Sequence, residues 1–172
     1  MLLAMLLFAI GTVQAQEKTK TIGNKPREGS SNASFSVTKG QQIGIKMKAG
    51  SKPVQLLKLD FGVDNRMRDS IKFKVNVYEF NEDKPGENLV KQDIIGAIPK
   101  GKNRINVDLS VHNITTKGTI LVAIEWLNTQ GGNEPSFSIG LLNGGTYRYE
   151  GTEWKKMPVA GVDFNVLVKK LK

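Results

Sequence analysis

Within nine residues the segment Thr146-Tyr147-Arg148-Tyr149-Glu150-Gly151-Thr152-Glu153-Trp154 gathers three aromatic rings and three charged side chains. Tyr147 and Tyr149 stand two apart, so on a strand they project to one side while Arg148 and Glu150 project to the other. Gly151-Thr152 can turn the chain back and bring Trp154 near Tyr149 across a hairpin. Aromatic faces bury the apolar C–H faces of a sugar ring while polar neighbours satisfy its hydroxyls. Tyr147, Tyr149 and Trp154 are therefore the candidate ligand-binding face and Arg148 its polar anchor. The same spacing also suits a cross-strand aromatic cluster, which stabilises a hairpin by roughly 0.2–1 kcal/mol per pair and binds nothing. Exposure of the three rings on one face separates the two readings.

The carboxylates offer two other chemistries. Glu79, Asp108 and Glu125 each lie on or at the end of a strong strand pattern. A glycosidase needs two carboxyl groups about 5–10 Å apart in a cleft. Asp108 and Glu125 have parity opposite to their apolar neighbours, which turns them to the outer face, and nearby lysines can pair with them. Asp60, Asp64, Asn65 and Asp69 form the densest oxygen cluster, a place where a jelly roll could hold structural calcium. Calcium wants six to eight oxygens, whereas Arg66 and Arg68 sit inside this cluster and compete for the carboxylates. The spacing also fails the EF-hand pattern.

Other chemistries are excluded by residue type. The chain has no Cys, so thiol catalysis and thiolate metal sites are impossible, and its single His, His112, rules out zinc sites built on several imidazoles. A lone loop histidine is ordinarily a solvated surface residue. No Gly-x-Ser-x-Gly precedes a helix, and Lys156 lacks the glycine frame of a phosphate loop. The expectation is a protein that is not an enzyme, with no catalytic residue, no metal ligand and no cofactor.

The elements that carry these residues read as strands. From Phe35 the apolar period is two. Ile43, Ile45 and Met47 make one set; Leu57, Leu59, Phe61 and Val63 another; Ile71, Phe73, Val75 and Val77 a third, alternating with Lys72, Lys74 and Asn76. Asn88 to Ile98 is a further strand region. Ile105, Val107 and Leu109, then Ile120, Val122, Ile124 and Trp126, then Phe137 and Ile139, and finally Val162, Phe164, Val166 and Val168 continue the pattern. Trp126 reads as core. Gly50-Ser51-Lys52-Pro53, Asp83-Lys84-Pro85-Gly86, Lys100-Gly101-Lys102-Asn103, Gly131 to Pro135 and Asn143-Gly144-Gly145 supply turns. About eight to ten short strands without a helical period predict an all-β, two-sheet antiparallel sandwich of jelly-roll type.

The local phrases Phe73 to Glu79, Lys84 to Leu89, Ile105 to Ser110 with Asn113-Ile114, Ala123 to Trp126, Phe137 to Gly140, Gly144-Gly145 with Tyr147 and Tyr149, and Trp154 to Pro158 occur in this order. Together they resemble uncharacterised jelly-roll-like envelope domains of Bacteroidota, of the kind found beside carboxypeptidase-regulatory-like domains. The resemblance covers Leu57 to Lys170. It implies the fold and the compartment and carries over no catalytic residue.

The domain layout follows from composition. Met1 to Ala15 holds no charge, has an apolar core from Leu2 to Ile10 and ends in Val13-Gln14-Ala15, the layout of a signal peptide, although the usual basic n-region is absent. Residues 16–34 are polar and read as a flexible lead-in, and 35–172 as a single β-sandwich domain. No Cys follows the apolar run, so no lipoprotein anchor is expected, and no second stretch reaches the length of a membrane span. The net charge of +9 comes from 25 Lys and Arg against 16 Asp and Glu. The lysines are spread along the strands without aromatic interleaving, which reads as a solvated basic surface and not as a nucleic-acid interface. The expected protein is exported to the periplasm, cell surface or medium as a binding or adhesion module for a glycan or an envelope partner. The alternatives are a structural accessory subunit for protein partners and, third, a carboxylate-dependent hydrolase.

Overall fold

A long strand that serves two sheets organises the chain. The computed structural model describes residues 18–27 and 31–171; the predicted signal segment 1–15 lies outside them. The described strands are β1 (Thr19–Gly23), β2 (Asn32–Ser34), β3 (Gln42–Asn65), β4 (Ile71–Asn81), β5 (Lys84–Asn88), β6 (Ile94–Ile98), β7 (Gly101–Asp108), β8 (Thr115–Trp126), β9 (Ser136–Leu141), β10 (Thr146–Tyr149), β11 (Trp154–Met157), β12 (Ala160–Val162) and β13 (Asn165–Lys170). A single 3₁₀ turn, Ser110–His112, joins β7 to β8.

The first part of β3 pairs with β8 and β10, and the second with β13, β7 and β9, all antiparallel. The changeover falls where the register with β8 shifts on either side of Gly50, whose φ of +111° is open to glycine. The front sheet therefore runs β11-β10-β3-β8-β4, with β5 and β6 sharing the outer edge of β4. The back sheet places β3 between β7 and β13, with β1 beyond β13 and with β9 carrying β2 and β12.

The inner faces are the ones the period-two pattern predicts. Ile43, Ile45, Met47, Ile71, Phe73, Val75, Ile120, Val122, Ile124 and Trp126 of the front sheet are buried against Leu59, Phe61, Val63, Phe164, Val166 and Val168 of the back. Phe61 is the centre, with ring centroids 5.7 Å from Phe73, 5.9 Å from Phe137 and 4.8 Å from Phe164. The product is an all-β antiparallel sandwich. Among the described residues no helix is long and apolar enough to cross a membrane.

Four local expectations differ from the structure. The segment read as a flexible lead-in supplies β1 and β2, because backbone pairing with β13 and β9 gives polar residues a strand without any apolar period. Leu57 is only half-buried and Leu56 is fully buried in its place. Leu167 pairs with Lys58 and Val168 with Leu56, so Leu57 is the extra residue of a bulge that reverses the parity. The turn read at Asp83 to Gly86 is instead Glu82-Asp83, both at positive φ, a two-residue hairpin of the primed type. Pro85 and Gly86 lie on edge strand β5, where a missing N–H costs little. The single region read from Asn88 to Ile98 divides into β5 and β6, both on β4.

Candidate functional site

The aromatic segment forms the predicted hairpin. Thr146, fully buried, anchors its start: its Oγ1 donates to the Ala160 carbonyl at 2.7 Å and accepts from the Val162 N–H at 3.0 Å. Gly145 precedes it at φ +83°, and a Cβ there would meet the Met157 carbonyl at 2.4 Å. In the ladder Tyr149 stands directly opposite Trp154 and Tyr147 opposite Lys156. The Tyr149 and Trp154 rings lie 5.5 Å apart, and the Tyr149 hydroxyl donates to the Gly151 carbonyl at 2.9 Å.

The four candidate residues do not form one surface. Tyr147 is 4 % exposed. Its neighbour on β3 is Gly44, and Gly44 in turn faces Ala123, so two small residues leave a hollow on the outer sheet face. The Tyr147 ring fills it together with Leu121 and Phe80, whose ring is 5.2 Å away. Tyr147 is a structural member of a small second core. Arg148 points to the other side, as strand alternation requires. Its guanidinium covers the Phe35 ring at 5.5 Å and pairs with Glu150 at 3.1 Å, so it cannot anchor a ligand held by Trp154. What remains on the outer face is a half-buried row. Trp154 lies between Tyr149 and Tyr78, the latter edge-on at 5.7 Å.

Tyr78 was hidden from sequence reasoning. Its parity puts it with Lys72 and Lys74 on the face read as solvated, and its meeting with Trp154 needs a hairpin some seventy residues later to join the sheet beside β3. Behind this row is a polar network. Gln42 Oε1 accepts from Tyr78 Oη at 3.0 Å and from Asn76 Nδ2 at 3.1 Å; Asn76 also donates to Glu125 at 2.8 Å and accepts from Asn88 at 3.0 Å. Burial raises the Tyr78 pKa, against the Gln42 hydrogen bond, so the phenol stays a donor.

Between the β4–β5 and β10–β11 hairpins lies a depression of about 540 Å³. Trp154 and Tyr147 form its aromatic wall, and Asp83, Lys84, Glu153 and Lys156 its charged rim. Lys46 reaches from β3 to Asp83 at 3.1 Å and over the Phe80 ring at 5.2 Å, tying the β4–β5 turn to the sheet. The Asp83 hydrogen bond raises the Lys46 pKa in spite of partial desolvation.

The carboxylates are elsewhere and apart. Glu79 pairs with Ile120 in the ladder, five residues along β8 from Glu125, a separation of about 17 Å at strand rise. The two also point to opposite faces. Glu125 sits beside Lys74 at 3.5 Å. Asp108 is at the end of β7 in the back sheet, where it closes the turn into the 3₁₀ segment. The Ser110 Oγ donates to it at 2.6 Å and the Ser110 N–H at 2.8 Å. These two bonds hold its carboxyl below the ordinary 3.8. A lowered folded pKa contributes stability that is complete above the unfolded value and fades as the pH falls through the folded one. The deficit of Asp108→Asn against the parent chain should therefore be present at neutral pH, begin to shrink near pH 4 and vanish only below the lowered folded pKa. A carboxyl titration by NMR in which Asp108 is half-protonated at 3.8 or above would refute the cap.

The oxygen cluster is divided among internal partners. Asp64 pairs with Arg66 at 2.9 Å, Asp60 with Arg104, and buried Asn65 donates to the Asp69 carbonyl at 2.9 Å and the Ile98 carbonyl at 3.1 Å. Among the described residues no group of three His, Cys, Asp or Glu could hold a metal. Asp163 escaped sequence analysis altogether: flanked by Val162 and Phe164, it is fully buried. It accepts from the Gly62 N–H at 2.8 Å, the Arg27 N–H at 3.1 Å and Arg104 Nη1 at 2.8 Å.

No family model matches the chain, and no curated protein matches it. Among solved structures, the clostridial cysteine protease Cwp84 after propeptide cleavage superposes with a TM-score of 0.64 at 12% identity, over 89% of this chain and 40% of that one. The cysteine protease and lectin-like domains of Cwp84, a surface layer associated protein of Clostridium difficile, give 0.58 at 10% identity, over 84% and 37%. An infectious bursal disease virus structure covers 98% of this chain with a TM-score of only 0.34. The chain thus spans about two-fifths of the length of the solved structures it is similar to, and at these identities the likeness is one of all-β fold.

Proposed function

We propose that this chain is an exported, non-enzymatic glycan-binding module of a bacterial envelope. The half-buried row Tyr78-Trp154-Tyr149 beside the depression of about 540 Å³ carries the reading. Trp154 offers an indole face to the apolar side of a sugar ring. Asp83 and Glu153 accept, and Lys84 and Lys156 donate, hydrogen bonds to its hydroxyls. The internal cluster of Tyr147, Phe80 and Leu121 holds this wall in place without loop rearrangement, which lowers the cost of ordering on binding. The signal-like segment and the resemblance to Bacteroidota envelope domains support the compartment. An all-β chain without cysteine has more in common with a lectin-like domain than with a cysteine protease, which supports the ligand class.

A glycan array on the full chain, followed by calorimetry on the best ligand, tests the proposal. Trp154→Ala should weaken binding by roughly thirtyfold, about 2 kcal/mol, while Arg148→Ala on the opposite face should leave it unchanged. Flat binding to every glycan, or equal affinity of parent and Trp154→Ala, would defeat it. The second reading, an accessory subunit for protein partners, is favoured by one observation. Leu141, Leu142 and Val159 are 59%, 85% and 58% exposed, and the Leu142 N–H donates to the Val159 carbonyl at 2.8 Å, so they form one apolar tip.

A further inference from the structure

A second depression, of about 490 Å³, opens on the back sheet far along β3 from the aromatic cleft. Four cationic residues, Arg27, Arg66, Lys102 and Arg104, line it together with Ser136 and Ser138. Three carboxylates stand against them, and two of these, Asp60 and Asp163, both engage Arg104. Burial opposes the charge of Arg104, but the hydrogen bonds to Asp163 and Asp60 outweigh it and raise its pKa. Its planar fork is thereby fixed in one orientation, with N–H donors left over for a ligand. Arg66 also lines the depression, steadied by Asp64 at 2.9 Å, and Lys102 comes from the adjoining strand at the Asp64 position of the ladder. Gly62 forms the floor. A Cβ there would lie 3.0 Å from Ser138 Oγ, 3.2 Å from Asp163 Oδ2 and 3.3 Å from Arg104 Nη1, so only glycine leaves the space open.

We infer that this pocket binds a tetrahedral oxyanion, a sulfate or phosphate group, carried as an ester on a larger molecule. A flat carboxylate uses one Arg fork, whereas Arg66, Lys102, Arg104 and the two serines line one depression from several elements, a donor set that suits oxygens pointing in several directions. The +9 net charge would steer such a polyanion toward the protein. The aromatic cleft plays no part in this site, so the two proposals stand or fall separately.

Calorimetry on the full chain, with inorganic sulfate, inorganic phosphate, a sulfated polysaccharide and the same polysaccharide without sulfate, tests the inference. The expected result is saturable binding of an inorganic ion and tighter binding of the sulfated polymer than of the unsulfated one. Lys102→Ala and Arg66→Ala should each weaken binding roughly tenfold at unchanged melting temperature, with Lys102→Arg restoring it. Trp154→Ala should bind the sulfated polymer like the parent. Absence of saturable binding, binding of the free ions but not of the ester, or binding by both alanine variants as tight as the parent's would each overturn it.

Discussion

Asp163→Ala should lower the unfolding free energy by about 2–4 kcal/mol, chiefly because buried backbone donors lose their acceptor, with a smaller part from Arg104, whose side chain is 32% exposed. The Asp163 side chain is 1% exposed and accepts from three donors. Without it, the buried Gly62 N–H loses its acceptor and Arg104 keeps only Asp60. The Arg27 N–H, which ties the strand-poor stretch after β1 to the back sheet, is released as well. Asp163→Asn keeps one carbonyl oxygen and should recover part of the loss. Urea unfolding at constant m-value measures both. Combining Asp163→Ala with Arg104→Met should cost less than the sum of the single changes, because each single change already removes the Asp163–Arg104 contact. A loss below about 1 kcal/mol for Asp163→Ala would mean that water or another group replaces the carboxylate at little cost.

Asp163 also marks where sequence reading ends. Ile71 to Val77 or Ile120 to Trp126 can be assigned a face from period two alone, because one side of each strand is dry for its whole length. The class of fold was legible for the same reason. Asp163 sits in an equally apolar stretch, and nothing local says that an aspartate between Val162 and Phe164 is buried. Its burial depends on Arg104 and Gly62, distant residues that only the closed sandwich brings to it. The bulge at Leu57 is a similar case: parity changes there because β13 skips a residue, and a pairing partner over a hundred residues away decides it.

The candidate site divides along the same line. The hairpin bringing Trp154 to Tyr149 was readable from spacing and from Gly151. That Tyr147 would turn into a small core was not, since it required Gly44 and Ala123 to be its neighbours across two ladders. The proposed binding surface changes accordingly. Trp154 remains, Tyr147 becomes its support, and Tyr78 takes the place that Arg148 cannot fill.

The aromatic centre carries the other large effect. Phe137→Ala should cost about 3–5 kcal/mol through lost burial and the cavity left behind. At about 2–4 °C per kcal/mol for a chain of this size, the melting temperature should fall by roughly 10 °C. Phe137 is fully buried, with ring centroids 5.8 Å from Phe35, 5.9 Å from Phe61, 6.1 Å from Trp126 and 6.3 Å from Phe164. It also holds a weakly paired element. β9 joins β3 through only the Val63–Phe137 and Asp64–Ser136 pairs, yet β2 and β12 reach the sheet through β9. Side-chain packing, more than backbone pairing, fixes this corner. Native-state hydrogen exchange should therefore show Phe137→Ala opening β2, β9 and β12 ahead of the β3–β8 ladder. Phe137→Leu, which refills most of the volume, should restore most of both the stability and the protection. Uniform loss of protection across both sheets would instead assign Phe137 to the global core and leave β9 docked by its ladder alone.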